Sequence, residues 1–152
     1  MDTTNFASIS KDIAIQTMQN EVRLNAAYIE GDWVTIEASD SVDEHALYDP
    51  SSGEVIAITR LCNSAQLESA VNAAARAYPS WSQTNVNERA RYLQAIADTM
   101  EQQFDKLVGL SVLNNGKPIA EAKIDVSDAI ACYRYYANLI KGQTTWSEVT
   151  TN

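Results

Sequence analysis

A mixed, helix-rich α/β fold is predicted for this chain: an N-terminal β-hairpin and a short strand, followed by three helices. Two observations carry the prediction. β-branched and aromatic residues crowd positions 27–37 and 55–61 beside glycine-containing turns. Beyond Ser64 the apolar period lengthens from two to about 3.6 residues. A length of 152 residues suits one domain, or one piece of a larger one. The net charge of −9 repels phosphate backbones and anionic lipid heads, which makes nucleic acids and membranes poor partners.

Residues 1–26 are polar with scattered apolar positions and form a partly ordered extension, with a short helix suggested over 12–22. In the 27–37 stretch, Gly31-Asp32 divides two short strands into a hairpin. A polar loop is expected over 38–44, and His45, the only histidine, reads as solvated loop rather than a metal ligand. Tyr48-Asp49-Pro50-Ser51-Ser52-Gly53 is a turn, because proline presets one dihedral and glycine tolerates a positive φ. A strand follows at 55–61.

Ser64 is the expected N-cap of the first of the three helices, which turns Leu67, Val71, Ala74, Ala75 and Tyr78 inward and ends at Pro79. Asn85 with Glu88 resembles a capping box opening the second. Its inner face runs through Leu93, Ile96, Ala97, Met100, Phe104, Leu107 and Val108. Asn115-Gly116 supplies a left-handed cap, and Pro118 suits the first turn of the third helix. That helix carries Ile119, Ala122, Val126, Ala129, Ile130, Tyr133, Ala137 and Ile140 on one side. Asp128, Cys132, Tyr135 and Leu139 align on the opposite side, where a surface helix should be polar, so a second packing face is expected there. The β-prone tail, 143–152, has no visible partner strand.

Cys62 and Cys132 lie far apart without a Cys-x-x-Cys spacing, which reads as two free thiols in a reducing cytoplasm. Neither has a neighbouring base in sequence to activate it as a nucleophile. None of the five glycines belongs to a G-x-G-x-x-G or a G-x-x-x-x-G-K-[ST] run. No residue of this chain is therefore assigned to catalysis or to cofactor binding.

The order of the motifs resembles the aldehyde dehydrogenase superfamily. Tyr28-Ile29-Glu30-Gly31-Asp32-Trp33 is similar to its opening hairpin. The 48–56 stretch is similar to its Asn-Pro-x-x-Gly turn and strand, with Asp49 in place of the usual Asn. Trp81 with Glu88-Arg89-Ala90, then Asn115-Gly116-Lys117-Pro118, then Tyr135-Tyr136-Ala137 complete the series. The wording of 125–137 looks closest to the betaine-aldehyde and aminoaldehyde branch.

The resemblance implies the N-terminal segment of an NAD- or NADP-dependent enzyme that oxidises an aldehyde to the acid. The family's catalytic cysteine, glutamate and asparagine, and its parallel dinucleotide-binding sheet, would lie beyond these residues. Residues 27–142 would be the N-terminal part of the cofactor-binding region, and 143–152 the start of an oligomerisation arm. The implied partners are the remainder of the chain, a homo-oligomer and a small aldehyde, in the cytoplasm. Two functional positions are implied within the segment. Asp128, supported by Asp125 one turn earlier, would face the substrate tunnel and attract a cationic aldehyde. A structural K+ or Na+ would sit on the Leu47 and Tyr48 carbonyls and Asn114, weakened because Asn114 brings no charge. The alternative is a non-catalytic truncated paralogue acting as a helical interaction module.

Overall fold

The computed structural model describes residues 10–39 and 43–141. The expectations for 1–9, for 40–42 and for the tail beyond 141 lie outside the described residues. The chain runs α1 (Lys11–Asn20), β1 (Ala26–Ile29), β2 (Asp32–Thr35), β3 (Glu44–Tyr48), β4 (Val55–Arg60), α2 (Ser64–Ser82), α3 (Val86–Gln102), α4 (Phe104–Asn115) and α5 (Ile119–Leu139). The helix-rich mixed class is as expected from sequence. The element list differs at three places.

The first difference is a second hairpin. β1 pairs with β2 across Glu30-Gly31, as the sequence indicated, and β3 pairs antiparallel with β4. His45 therefore lies on an exposed strand, opposite Thr59, rather than in a loop. A tight turn followed by a strand needs a strand before it, and residues 44–48 supply one. Glu44 sits opposite Arg60 in the register and accepts from its Nε at 2.9 Å, a cross-strand ion pair.

The second difference is a break in the predicted second helix at Gln103. There φ is −101° and ψ 14°, and the amide is shared among the carbonyls of Glu101, Met100 and Thr99. Beyond the break, α4 is apolar on more than one side, which suits a helix enclosed by neighbours rather than lying on a surface. Val108 packs with Ala97, Ala122, Val126 and Ile130 of α3 and α5. Leu113 faces a different cluster made with Ala14 and Met18 of α1 and Ile56 of β4. One straight helix from Val86 to Asn115 would carry a single stripe and could not wall both clusters.

The third difference concerns α2. Its N-cap is Asn63 rather than Ser64, because Asn63 and Gln66 satisfy each other's backbone amides at 2.9 and 3.0 Å. Ser64 would have Leu67 as its partner three residues on, which cannot return a hydrogen bond. Pro79 does not end the helix, which continues to Ser82. The carbonyls of that last turn are taken by the Ser80 and Ser82 hydroxyls and by Arg89. The predicted inner face is uncovered: Leu67 is 63% exposed, Val71 59% and Tyr78 67%, and no residue of α2 is buried.

On α5 the expected face is the packed one, with Ala122, Val126, Ile130 and Ala137 buried, while Tyr133 reaches the edge. Within the extension, the described residues from 10 onward include α1. Ser10 caps α1, and Ala14, Thr17 and Met18 are buried. No described helix is long and apolar enough to cross a membrane.

Candidate functional site

The sequence motifs meet one another in space. At the junction of α4 and α5, Gly116 adopts φ +73° and its amide donates to the Val112 carbonyl at 2.8 Å. A Cβ built there would lie 3.1 Å from Pro50 Cβ, so the 48–53 turn and the Gly-Lys-Pro junction are in tight contact. Arg89 donates to the carbonyls of Trp81 and Ser82 and lies over the Trp81 ring at 5.7 Å. Those contacts account for the Trp…Glu-Arg-Ala spacing. Tyr28 and Trp33 pair edge-on across the first hairpin at 5.2 Å.

Asp49 is the most constrained carboxylate described. It is 3% exposed and accepts the Ser51 amide at 2.9 Å and the hydroxyls of Ser51 and Ser52. Lys11, the first residue of α1, donates to its Oδ2 at 2.5 Å. The Lys11 ammonium, with Ser51 behind it, holds the Asp49 carboxyl well below the usual carboxylate range. The same contact raises Lys11. The Asp that departs from the usual Asn thus comes with a counter-charge from outside the motif, a pairing 38 positions apart that local sequence does not signal.

Among the proposed cation-site residues, Leu47 packs into the cluster that holds Leu113, which brings β3 beside the end of α4. Tyr48 lies at an irregularity in the strand register, and Asn114 is exposed. Among the described residues no group of three or more His, Cys, Asp or Glu side chains is placed to hold a metal ion.

On α5, Glu121, Asp125, Asp128, Cys132, Tyr135 and Leu139 fall along one exposed stripe, acidic in its first half and apolar in its second. Asp125 is engaged: Lys117, between the left-handed Gly116 and Pro118, forms an ion pair with its Oδ2. No ion pair or hydrogen bond to Asp128 is found among the described residues. Tyr135 is 61% exposed and stands edge-on to Tyr136. It also lines a cleft of about 430 Å³ between α5 and the α3–α4 break, with Phe104, Ile130, Arg134 and Glu101. Arg134 is committed within that cleft, donating to Glu101 at 2.6 Å and Asp98 at 3.3 Å, and it lowers the Glu101 carboxyl below its ordinary value. This clamp between α3 and α5, like the Lys117 pair, was not apparent from sequence. Cys132 is exposed and Cys62 half-buried, and both are free.

Two antiparallel hairpins joined to helices whose motif residues bind one another describe a helix-rich α/β protein with an acidic, aromatic-edged helix on its surface. Residues 36–151 match the aldehyde dehydrogenase family, and the chain belongs to that family. It is 35% identical over 119 residues to a malonate-semialdehyde dehydrogenase of Bacillus pumilus, covering 78% of this chain and 24% of that protein. It is 32% identical over 109 residues to a 4-trimethylaminobutyraldehyde dehydrogenase of Oryzias latipes, covering 70% and 22% respectively. Its fold is similar to that of a betaine aldehyde dehydrogenase from Staphylococcus aureus solved with NAD+, at a TM-score of 0.77 and 26% identity, over 92% of this chain and 28% of that one. The chain thus spans about a quarter of the length of the curated relatives it matches.

Among the described residues both sheets are antiparallel hairpins, and Gly116, at the turn into α5, donates its amide to the Val112 carbonyl.

Proposed function

We propose that this chain serves as the N-terminal segment of an NAD-dependent aldehyde dehydrogenase whose substrate is a cationic amino- or trimethylammonium-type aldehyde. The observation that carries the reading is Asp128: an exposed carboxylate on α5 with no partner among the described residues, on the same stripe as the exposed Tyr135 two turns further on. An exposed carboxylate attracts an ammonium group and repels a carboxylate. That favours substrates like that of the trimethylaminobutyraldehyde relative over an anionic semialdehyde. NAD would be bound by the remainder of the enzyme. The uncovered faces of α2 and α5 suit packing against that remainder, with residues 27–142 forming part of the cofactor-binding region. By itself the chain would be inert toward aldehyde and NAD+, because the family's nucleophilic cysteine and activating glutamate have no counterpart in it.

The test is Asp128→Asn in the enzyme that carries this segment. For a carboxylate roughly 6 Å from the ammonium, at an effective dielectric constant of roughly 40, KM for a trimethylammonium aldehyde rises about tenfold. KM for a neutral aldehyde of the same length stays within about twofold. Equal changes for both substrates would refute the assignment. The same exposed faces suit a second reading, a non-catalytic module that binds a partner through α2 or α5. The nucleotide sequence following the Asn152 codon separates the two. Continuation into the family's catalytic motifs rules out the module, and an immediate stop codon rules out the enzyme.

A further inference from the structure

We propose that Lys117 is a specificity-setting residue, which neutralises Asp125 and so fixes how much negative charge α5 presents to an approaching aldehyde. The proposal rests on the reading of Asp128 given above. Glu121, Asp125 and Asp128 lie within one narrow stripe of the helix, so three like charges share a surface about two turns long. Glu121 belongs to the first turn, where the free N–H groups favour an acid. Asp125 and Asp128 are three residues apart and close enough to repel. Among the described residues, Lys117 pairs with Asp125 of this stripe.

The geometry holds that contact in place. The backbone of Lys117 is pinned between Gly116 at φ +73° and Pro118 at φ −57°, and its amide donates to Asn115 Oδ1 at 3.1 Å. Helical side chains lean toward the N-terminus, so the Asp125 carboxylate tilts back to the junction that carries Lys117. The lysine side chain is 27% exposed, so its ammonium is confined rather than swept through solvent. The consequence is a division of roles. Asp128 attracts a cation, while the Lys117–Asp125 pair limits the field around it. Without Lys117 the stripe gains one unit of negative charge. Without Asp125 it gains one unit of positive charge beside Asp128.

The experiment is a charge cycle in the enzyme that carries this segment, read as KM for three aldehydes of similar length: trimethylammonium, neutral and carboxylate-bearing. Lys117→Gln lowers KM for the cationic aldehyde about threefold and raises it for the anionic one by a similar factor, with the neutral one unchanged. Asp125→Asn does the reverse, and Lys117→Gln with Asp125→Asn together return both to the starting values. Lys117→Arg retains them, and added salt at about 0.5 M flattens every difference. Because the two single variants shift selectivity in opposite directions, a general loss of folding cannot imitate the pattern. Unchanged selectivity in both single variants, with Asp128→Asn still selective, would overturn the role of Lys117 and leave the Asp128 reading standing. A flat response to Asp128→Asn would identify the failure as that of the underlying reading.

Discussion

Gly116 joins two demands at one position, and replacing it with alanine tests both. The left-handed conformation at φ +73° costs a residue bearing a Cβ about 1 kcal/mol. The added Cβ would also stand 3.1 Å from Pro50 Cβ and 3.5 Å from its Cγ. A pyrrolidine ring cannot rotate out of the way, so the 48–53 turn must shift against α4, adding about 1 kcal/mol of overpacking strain. Gly53→Ala is the internal control. Its φ is +72°, and a Cβ there meets nothing within 4 Å, so it carries only the backbone cost. Urea unfolding followed by far-UV circular dichroism should then show a loss of about 2 kcal/mol for Gly116→Ala and about 1 kcal/mol for Gly53→Ala. Introducing Pro50→Gly beside Gly116→Ala should recover the excess, read as the coupling in a double-mutant cycle. Equal losses at Gly116 and Gly53 would mean that the turn does not press on the junction. No loss at either would refute the left-handed assignments as well.

Asp49 should govern the acid limb of stability. Its folded-state value is depressed, so its contribution is complete above the ordinary carboxylate range and is lost only as pH falls through the lowered value. Asp49→Asn should therefore unfold more readily than the parent at neutral pH, and the gap should close as pH drops below about 4. A gap that persists unchanged to low pH would refute a charge-based role. Val108→Ala, at a fully buried site, should cost about 2 kcal/mol in the same unfolding assay. Leu67→Glu with Val71→Glu should leave the helical circular dichroism intact while shifting the isolated chain toward monomer in sedimentation, since both side chains are largely exposed. A sharp monomeric melt of the unmodified chain would remove the premise of that prediction.

Periodicity made the helices legible, because α3 and α5 each bury one stripe and the side chains that form it recur at helical spacing. The same signal could not show that α2's stripe has no cover among the described residues: amphipathicity reports what a helix is dressed for, not what lies against it. The break at Gln103 was hidden because Phe104, Leu107 and Val108 continue the phase of Leu93, Ala97 and Met100. Only the additional apolar residues Leu110, Val112 and Leu113 hint at a second surface to be covered. β3 went unread because Glu44-His45-Ala46-Leu47-Tyr48 alternates poorly, although the turn after it and Arg60 opposite Glu44 were both visible. At the candidate site, the Asp128 stripe follows from spacing within one helix. Lys117 with Asp125, Arg134 with Glu101 and Lys11 with Asp49 do not, since each joins residues from different elements.

The stretch matched by the family model and the stretch that closes a core are not the same length. The family match begins at residue 36, yet Ala14 and Met18 complete the cluster around Ile56 and Leu113, and Lys11 answers the charge of Asp49. A recombinant piece trimmed to the recognised boundary would lose one wall of its interior and the counter-ion of its most buried acid. Cohesion in this chain therefore reaches past the matched stretch: a helix before residue 36 anchors a turn within it.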